Sequence, residues 1–431
     1  MLVRSVYPEI VVNLKGATYQ FKDYLCEIPD GQALQLLNTN NMYSLAKIEG
    51  GQVFKPFNGA TWTKNKKIIW DGPLCFANGY GKSSMEMIKA LNKVSDLYTV
   101  CDKWCGNSDE YIDDDLRKLV NKTPSEVDSY YIKYYPGSAM SPRIAEREIG
   151  FTMFECTRIP DGGKEGKYPN WVTNLNNMER VFCPSQDNKK YFIESGVTRD
   201  ITVIPLGVNP DRLPEVKFID DGNFVFGTMG TLTYRKGTDV LVKAFEKAFP
   251  KEQYPNVQLY LKTQATGGGI VNGWFMEGYA DDQRISLNMK IMPDDELHRE
   301  FFSKINCFVF PTRGEGFGLP PMEAMACGIP TICTNWSGTG DFLTNKNSYP
   351  LSYKMGDMPN GDWRGYPLEF RAEGQRWAEP NEEELVELMK HVYEHRDEAY
   401  AKGKVARKFI LGNYTWADTA RKIVEALDKK F

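Results

Sequence analysis

The chain has 431 residues, 42% hydrophobic and 26% charged, with a net charge of −4. That length exceeds one ordinary core and implies two or three domains. The charge balance offers no global basic field for nucleic acid or anionic lipid, and no apolar run approaches the ~20 residues of a membrane span.

Nine scattered cysteines, an odd number, fit a reducing compartment where thiols serve as small core residues. Met1-Leu2-Val3-Arg4-Ser5 shows no signal-peptide core, so a cytoplasmic location is expected. Cys101 and Cys105 lack the spacing of a common zinc or redox pair and have no histidine nearby, so no metal is expected.

Residues 1–66 read as a small β-rich or α+β appendage. Ile10 to Leu14, Tyr19 to Phe21 and Gln52 to Phe54 are short strand-like runs, and Gln32 to Leu37 suits a short helix. Nothing in this segment carries chemistry. From Lys67 the pattern changes to alternating strands and helices. Ile68-Ile69-Trp70 reads as a strand, followed by Gly72-Pro73 and the turn Asn78 to Gly81, and Met85, Ile88, Leu91 and Val94 as one apolar helix face. Leu97 to Cys101, Tyr130 to Tyr134, Phe151 to Phe154 and Val181 to Cys183 read as further strands. Pro184-Ser185 opens a helix ended at Gly196, and Ile201 to Ile204 closes this unit, residues 67–208.

Asn209 to Asn223 reads as a linker. A second alternating unit, residues 223–413, follows. It has strands at Phe224 to Thr228, Val257 to Leu261, Ile305 to Phe310 and Ile329 to Cys333, and an amphipathic helix from Val240 to Phe249. The final helix, within 414–431, has a complete apolar face that requires a partner. Alternating strands and helices predict an α/β architecture of two Rossmann-like, doubly wound parallel-sheet domains facing a cleft.

Three stretches could carry chemistry. In Phe308 to Gly328 an apolar strand meets a turn with Gly314, Gly316 and Gly318, then the helix-opening pair Pro320-Pro321. Such a strand end feeding a helix start presents backbone amides to an anion. The amides of Gly316, Phe317, Gly318 and Leu319 could hold a pyrophosphate or sugar. Glu323, expected in the first helical turn, could accept both hydroxyls of a ribose. The alternative is an ordinary crossover with common glutamates, which would not require three glycines and two carboxylates, Glu315 and Glu323, so close together.

The second stretch is Gly230-Thr231-Leu232-Thr233-Tyr234-Arg235-Lys236-Gly237. Two adjacent cations at a helix start oppose the helix dipole, an arrangement that makes sense if an anion sits between them. A solvated surface pair is the alternative. The third is Gly79-Tyr80-Gly81-Lys82-Ser83, which fails as a P-loop because position 76 is Phe, and survives as a cleft glycine turn.

With these residues in place, the chain from about Lys67 onward resembles the GT-B retaining glycosyltransferases of family 4, the group 1 type. Glu315 and Glu323, with seven residues between them, match the family's paired glutamates. Lys236-Gly237 matches its phosphate-binding lysine and glycine, and Gly79-Tyr80-Gly81 its first-domain glycine turn. Pro184-Ser185 and Val203 to Val208 resemble its interdomain landmarks, and the helix after Tyr414-Thr415-Trp416 resembles the one that crosses back to the first domain.

The resemblance implies transfer of a sugar from a nucleotide-diphosphate sugar as co-substrate, with retention, no metal and no further cofactor. Arg235 and Lys236 would neutralise the departing pyrophosphate. Glu315 and the amides of Gly316 to Leu319 would orient the sugar and β-phosphate, Glu323 would hold the ribose, and the base would lie near Met289 to Asp294, at Met292. Gly230 and Thr231 would line the donor site.

Two departures stand out. Thr231 occupies a position where many relatives have arginine, a role open to Arg235. The only histidines are His298, His391 and His395, so the family's first-domain cleft histidine is missing. Glu155 either replaces it or is an ordinary polar residue at a strand end. A glycoside hydrolase using Glu315 and Glu323, and a catalytically idle module binding a sugar or partner, stay open as alternatives. The acceptor, whether glycan, protein, modified nucleic acid or small molecule, is not legible.

Overall fold

The computed structural model describes residues 66–74, 79–103, 112, 114–120, 129–140, 148–163, 169–218, 221–263, 282–358 and 370–428, plus the backbone of short strands before residue 55. Those early strands form a three-stranded antiparallel sheet and two hairpins. The sheet is β1 (Leu2–Ser5) flanked by β4 (Leu25–Glu27) and β5 (Tyr43–Leu45). The hairpins are β2 (Ile10–Leu14) with β3 (Ala17–Phe21), and β6 (Lys47–Glu49) with β7 (Gln52–Phe54). The helix expected over Gln32 to Leu37 lies outside the described residues.

Two parallel six-stranded sheets follow. The first comprises β8 (Lys67–Leu74), β9 (Asp96–Lys103), β10 (Tyr130–Tyr134), β11 (Glu148–Phe151), β12 (Arg180–Cys183) and β13 (Ile201–Val203), in the order β13-β12-β11-β10-β8-β9. The second comprises β14 (Phe224–Met229), β15 (Val257–Lys262), β16 (Ile285–Asn288), β17 (Cys307–Phe310), β18 (Thr331–Thr334) and β19 (Tyr349–Leu351), in the order β16-β15-β14-β17-β18-β19. In each sheet the chain first winds to one side and then crosses its own starting strand. The crossing leaves a crevice at the carboxyl ends of β8 and β10 in one sheet, and of β14 and β17 in the other. The central strands read as near-continuous apolar runs because both faces are covered, and Cys307–Phe310 is buried throughout. A further hairpin pairs β20 (Tyr353–Asp357) with β21 (Arg376–Pro380).

Helix α1 (Gly79–Val94) follows β8, α2 (Gln186–Glu194) follows β12, α3 (Thr238–Ala248) follows β14 and α4 (Leu319–Ala326) follows β17. Ser185 caps α2, its side chain accepting from the Asn188 amide. After α5 (Glu382–Glu394) and α6 (Arg396–Asn413), the last helix α7 (Trp416–Asp428) lies against the first sheet's side of the molecule. Its buried stripe of Trp416, Ala420, Ile423, Val424 and Leu427 packs by α1. Arg180 Nη1 donates to Ala426 O at 3.0 Å, and Thr419 Oγ1 to Pro205 O at 2.8 Å. No described helix is long and apolar enough to cross a membrane.

Three local expectations are corrected. Gly72-Pro73 does not follow the first strand but is part of β8. β8 pairs with β10 only as far as Asp71, so Pro73 removes no donor from that ladder. A Cβ at Gly72 would lie 2.6 Å from Trp70 Nε1, so close packing requires that glycine. The strand expected at Phe151 to Phe154 instead ends at Phe151, because pairing with β10 and β12 stops there and the chain turns toward the cleft. Gly79, Tyr80 and Gly81 are not a turn before a helix but the first turn of α1, where Ser83 Oγ donates back to Gly79 O.

The entry to α7 depends on Gly207. A Cβ there would stand 2.3 Å from the backbone carbon of Thr415. Gly207→Ala should therefore destabilise the fold by about 2 kcal/mol and increase hydrogen exchange selectively across 416–428. Wild-type protection in that helix would refute the constraint.

Candidate functional site

The second sheet's crevice gathers two loops. The loop after β14 starts at Gly230, whose φ of +149° favours glycine, and tightens into a short 3₁₀ turn over Tyr234–Lys236. Gly237 ends that turn at φ +70°, and a Cβ there would lie 1.8 Å from Pro311 O. Only glycine lets the cation-bearing turn slide beneath the loop that follows β17.

Arg313, a residue not singled out from sequence, joins the two loops. Its guanidinium forks onto Asp239 at 2.8 and 2.9 Å and donates to Glu379 Oε2 at 2.7 Å. It also covers the Tyr234 ring at 3.5 Å from the centroid, and its backbone N–H donates to Arg235 O at 2.7 Å. Arg313 is 3% exposed, and this dense pairing compensates a buried charge that would otherwise be prohibitive.

The anion expected between Arg235 and Lys236 is the chain's own Glu315. Its Oε1 accepts from Arg235 Nη1 at 2.8 Å, Lys236 Nζ at 2.6 Å and Thr312 Oγ1 at 3.1 Å. Arg235 also donates to Gly314 O at 2.6 Å, and its Nη2 stands 3.7 Å from Glu155 Oε1. Burial pushes the Glu315 carboxyl up, but the charges of Lys236 and Arg235 outweigh it and hold the group below the ordinary carboxylate range. Burial pushes Lys236 below the ordinary lysine range; Glu315 offsets this only in part, while the Arg235 charge adds to it.

The glycine-rich turn is squeezed from both sides. A Cβ at Gly314 would lie 2.0 Å from Glu155 O, and one at Gly316 would lie 2.6 Å from Met153 Cγ; both contacts are with the first domain. Gly318 has φ +104°. Ser185 Oγ reaches Gly316 O at 3.2 Å from α2, while Ser337 Oγ and the Gly338 amide hold Glu315 O at 2.7 and 3.0 Å. Phe317 is buried beside Phe342 and Tyr414, so its side chain belongs to the packing and only its backbone is available to a ligand. Met292 is likewise buried, at 6% exposure, in the core with Leu297 and Phe301. Thr231 is half-buried, and its carbonyl is held by the Thr233 amide at 2.8 Å.

Glu323 is corrected by one turn: α4 begins at Leu319, which puts Glu323 at its fifth residue, past the first turn. Its Oε1 accepts from Lys82 Nζ at 2.8 Å across the cleft. Tyr80, on the same first turn of α1 as Lys82, is bound through its hydroxyl by the Met153 amide at 3.2 Å and lies 3.2 Å from Thr152 Oγ1. The structure thus brings Arg235, Lys236, Glu315 and Glu155 into one cluster beside Gly230. Tyr80 supports the segment leading to Glu155, and Glu323 occupies a separate ion pair. Among the described residues, no group of His, Cys, Asp and Glu side chains could hold a metal ion.

Residues 210–349 match the family model described as glycosyl transferases group 1. An uncharacterized glycosyltransferase of Methanocaldococcus jannaschii is 25% identical over 226 residues, which are 48% of this chain and 52% of that protein. The capsular polysaccharide biosynthesis glycosyltransferase CapM of Staphylococcus aureus is 29% identical over 169 residues, 37% of this chain and 41% of CapM. The chain thus spans about half the length, or less, of these curated relatives. The crystal structure of Anabaena HepE in complex with UDP-glucose superimposes with a TM-score of 0.63 and 15% identity, covering 84% of this chain and 99% of that one. That likeness and the two parallel sheets establish the GT-B fold.

Arg313→Met should lower stability by about 3 kcal/mol, the cost of breaking a buried pair, read by urea unfolding with Trp336 and Trp377 as reporters. Arg313→Lys keeps the charge but loses fork and stacking, so it should recover less than half of that loss. Full recovery by lysine would contradict the geometric role.

Proposed function

We propose that this chain is a retaining glycosyltransferase that moves a sugar from a nucleotide-diphosphate sugar to an acceptor hydroxyl without a metal. The observation that carries this reading is Glu315 bridging Arg235 and Lys236 where β14 and β17 diverge. A diphosphate entering that crevice can take over both cations, and the released Glu315 carboxylate then faces the sugar hydroxyls. The family match over 210–349 supports the assignment, since it includes both loops.

In this mechanism the bond between the sugar's anomeric carbon and the β-phosphate oxygen breaks with its electrons going to the diphosphate. The acceptor oxygen bonds the same carbon from the same face, and its proton passes to the departing phosphate oxygen. Arg235 and Lys236 stabilise the charge as it develops. Glu323 holds the ribose, Gly316 to Leu319 contribute backbone to the sugar and β-phosphate, and Gly230 and Thr231 border the phosphates. The base rests against the backbone at Met292. Glu155 stands where a polar group can meet the sugar. The hydrolase alternative is disfavoured because an acid and nucleophile pair gives no part to Arg235 and Lys236, the two cations that Glu315 bridges. Cys183, Cys307, Cys327 and Cys333 are buried free thiols, in keeping with the cytoplasmic location proposed.

A thermal-shift panel of uridine, guanosine, adenosine and cytidine diphosphates, each with its sugars, should show one base raising the midpoint. With that donor, Lys236→Ala should lower release of nucleoside diphosphate by about 10²–10³-fold while leaving the fold intact. Glu323→Ala should weaken donor binding. No shift with any nucleotide, or undiminished turnover in either variant, would reject the assignment.

A further inference from the structure

Lys82 sits on the first turn of α1, which carries no acidic residue. A cation there opposes the helix dipole, so local helix stability does not account for it. Its counter-ion comes instead from the other domain: Glu323 Oε1, at 2.8 Å, in a pair with side chains 22% and 9% exposed. Among the described residues, the ion pairs of the cleft set Lys82, Arg235 and Lys236 against Glu323, Glu315 and Glu155.

The start of α4 adds a second constraint. Its second and third residues are Pro320 and Pro321, which have no amide hydrogen, and the Met322 amide is bound to Gly318 O at 3.3 Å. A helix start usually offers four free amides to a phosphate; of the four here, at Gly318 to Pro321, the two prolines supply none, which halves that cradle. Side-chain charge must make up what the two prolines remove. Glu323 is four residues beyond Leu319, about 6 Å along the helix axis. Rotation of a lysine's flexible stem covers that distance.

We propose that Lys82 is a third, mobile cation for the diphosphate, supplied by the first domain: the ribose hydroxyls take its place on Glu323, and its ammonium moves to the phosphates. This rests on the donor-site reading above and extends it to a residue on the opposite side of the cleft. Each glutamate then makes the same exchange, giving up its cations to the diphosphate and taking hydroxyls in return. Lys82 thereby also ties the setting of the two domains to the presence of donor.

The exchange predicts divergent effects on two ligands that a structural role would affect alike. Calorimetric titrations would use uridine and uridine diphosphate, with the guanosine pair alongside, on wild type, Lys82→Met and Lys82→Arg. In Lys82→Met the nucleoside should bind equally well or up to about threefold tighter, because its competitor for Glu323 is gone. The nucleoside diphosphate should bind about tenfold weaker or worse, because a charge-assisted contact is lost. Lys82→Arg should restore the diphosphate. Equal effects on both ligands, or a diphosphate that binds as well as or better than it does wild type, would overturn the proposal. If wild type binds none of the four ligands, the donor-site reading itself falls, a result distinct from loss confined to the variant.

Discussion

A buried carboxylate shared by two cations is costly to desolvate and survives only when geometry fixes every partner. Glu315 is such a group, and much of the second domain can be understood as arranging it. β14 and β17 are neighbours because the chain crosses between them, so their loops leave the sheet side by side. Gly237 lets one loop pass under the other, and Arg313 fastens the pair through Asp239, Glu379 and Tyr234. Arg235 and Lys236 then meet Glu315 with little conformational freedom left to lose.

The same cluster reaches the first domain. Arg235 faces Glu155, and Gly314 touches the Glu155 backbone, while Ser185 and Met153 close on Gly316. The glycines of the turn therefore answer two demands at once: a positive φ at Gly318, and contact with the facing domain at Gly314 and Gly316. A side chain at either contact would separate the domains before it disturbed the local fold.

Much of this was readable in the sequence, for identifiable reasons. Alternating apolar runs and amphipathic helices announced parallel sheets, and the glycines, adjacent cations and paired glutamates named the two loops. Other features were silent. Arg313 lies within the glycine-rich stretch, yet its partners Asp239 and Glu379 are 74 and 66 residues away, so nothing local marks it as an anchor. β16 is only Ile285–Asn288 and no residue of it is fully buried, so it lacks the apolar run of a central strand. The α5 start had a signal that went unused: Asn381 before three glutamates, its side chain accepting from the Glu384 amide. Strand ends were misplaced at Gly72 and Phe151 because pairing with neighbours, not local propensity, decides where a ladder stops.

Glu315 and Glu323 look equivalent in sequence but have different electrostatic settings. Glu315 draws its cations from its own domain, through a loop locked by Arg313. Glu323 draws Lys82 from the facing domain, through one flexible stem. The first pairing is closed within one domain apart from the longer Arg235–Glu155 contact; the second spans the cleft. The proline pair at the start of α4 makes this difference consequential for the donor site proposed, because it removes two of the four amides that a helix start can offer a phosphate. On the reading proposed, Arg235 and Lys236 supply anion-binding charge from one wall of the cleft and Lys82 adds to it from the other, which links the fold's two-domain design to the chemistry proposed for it.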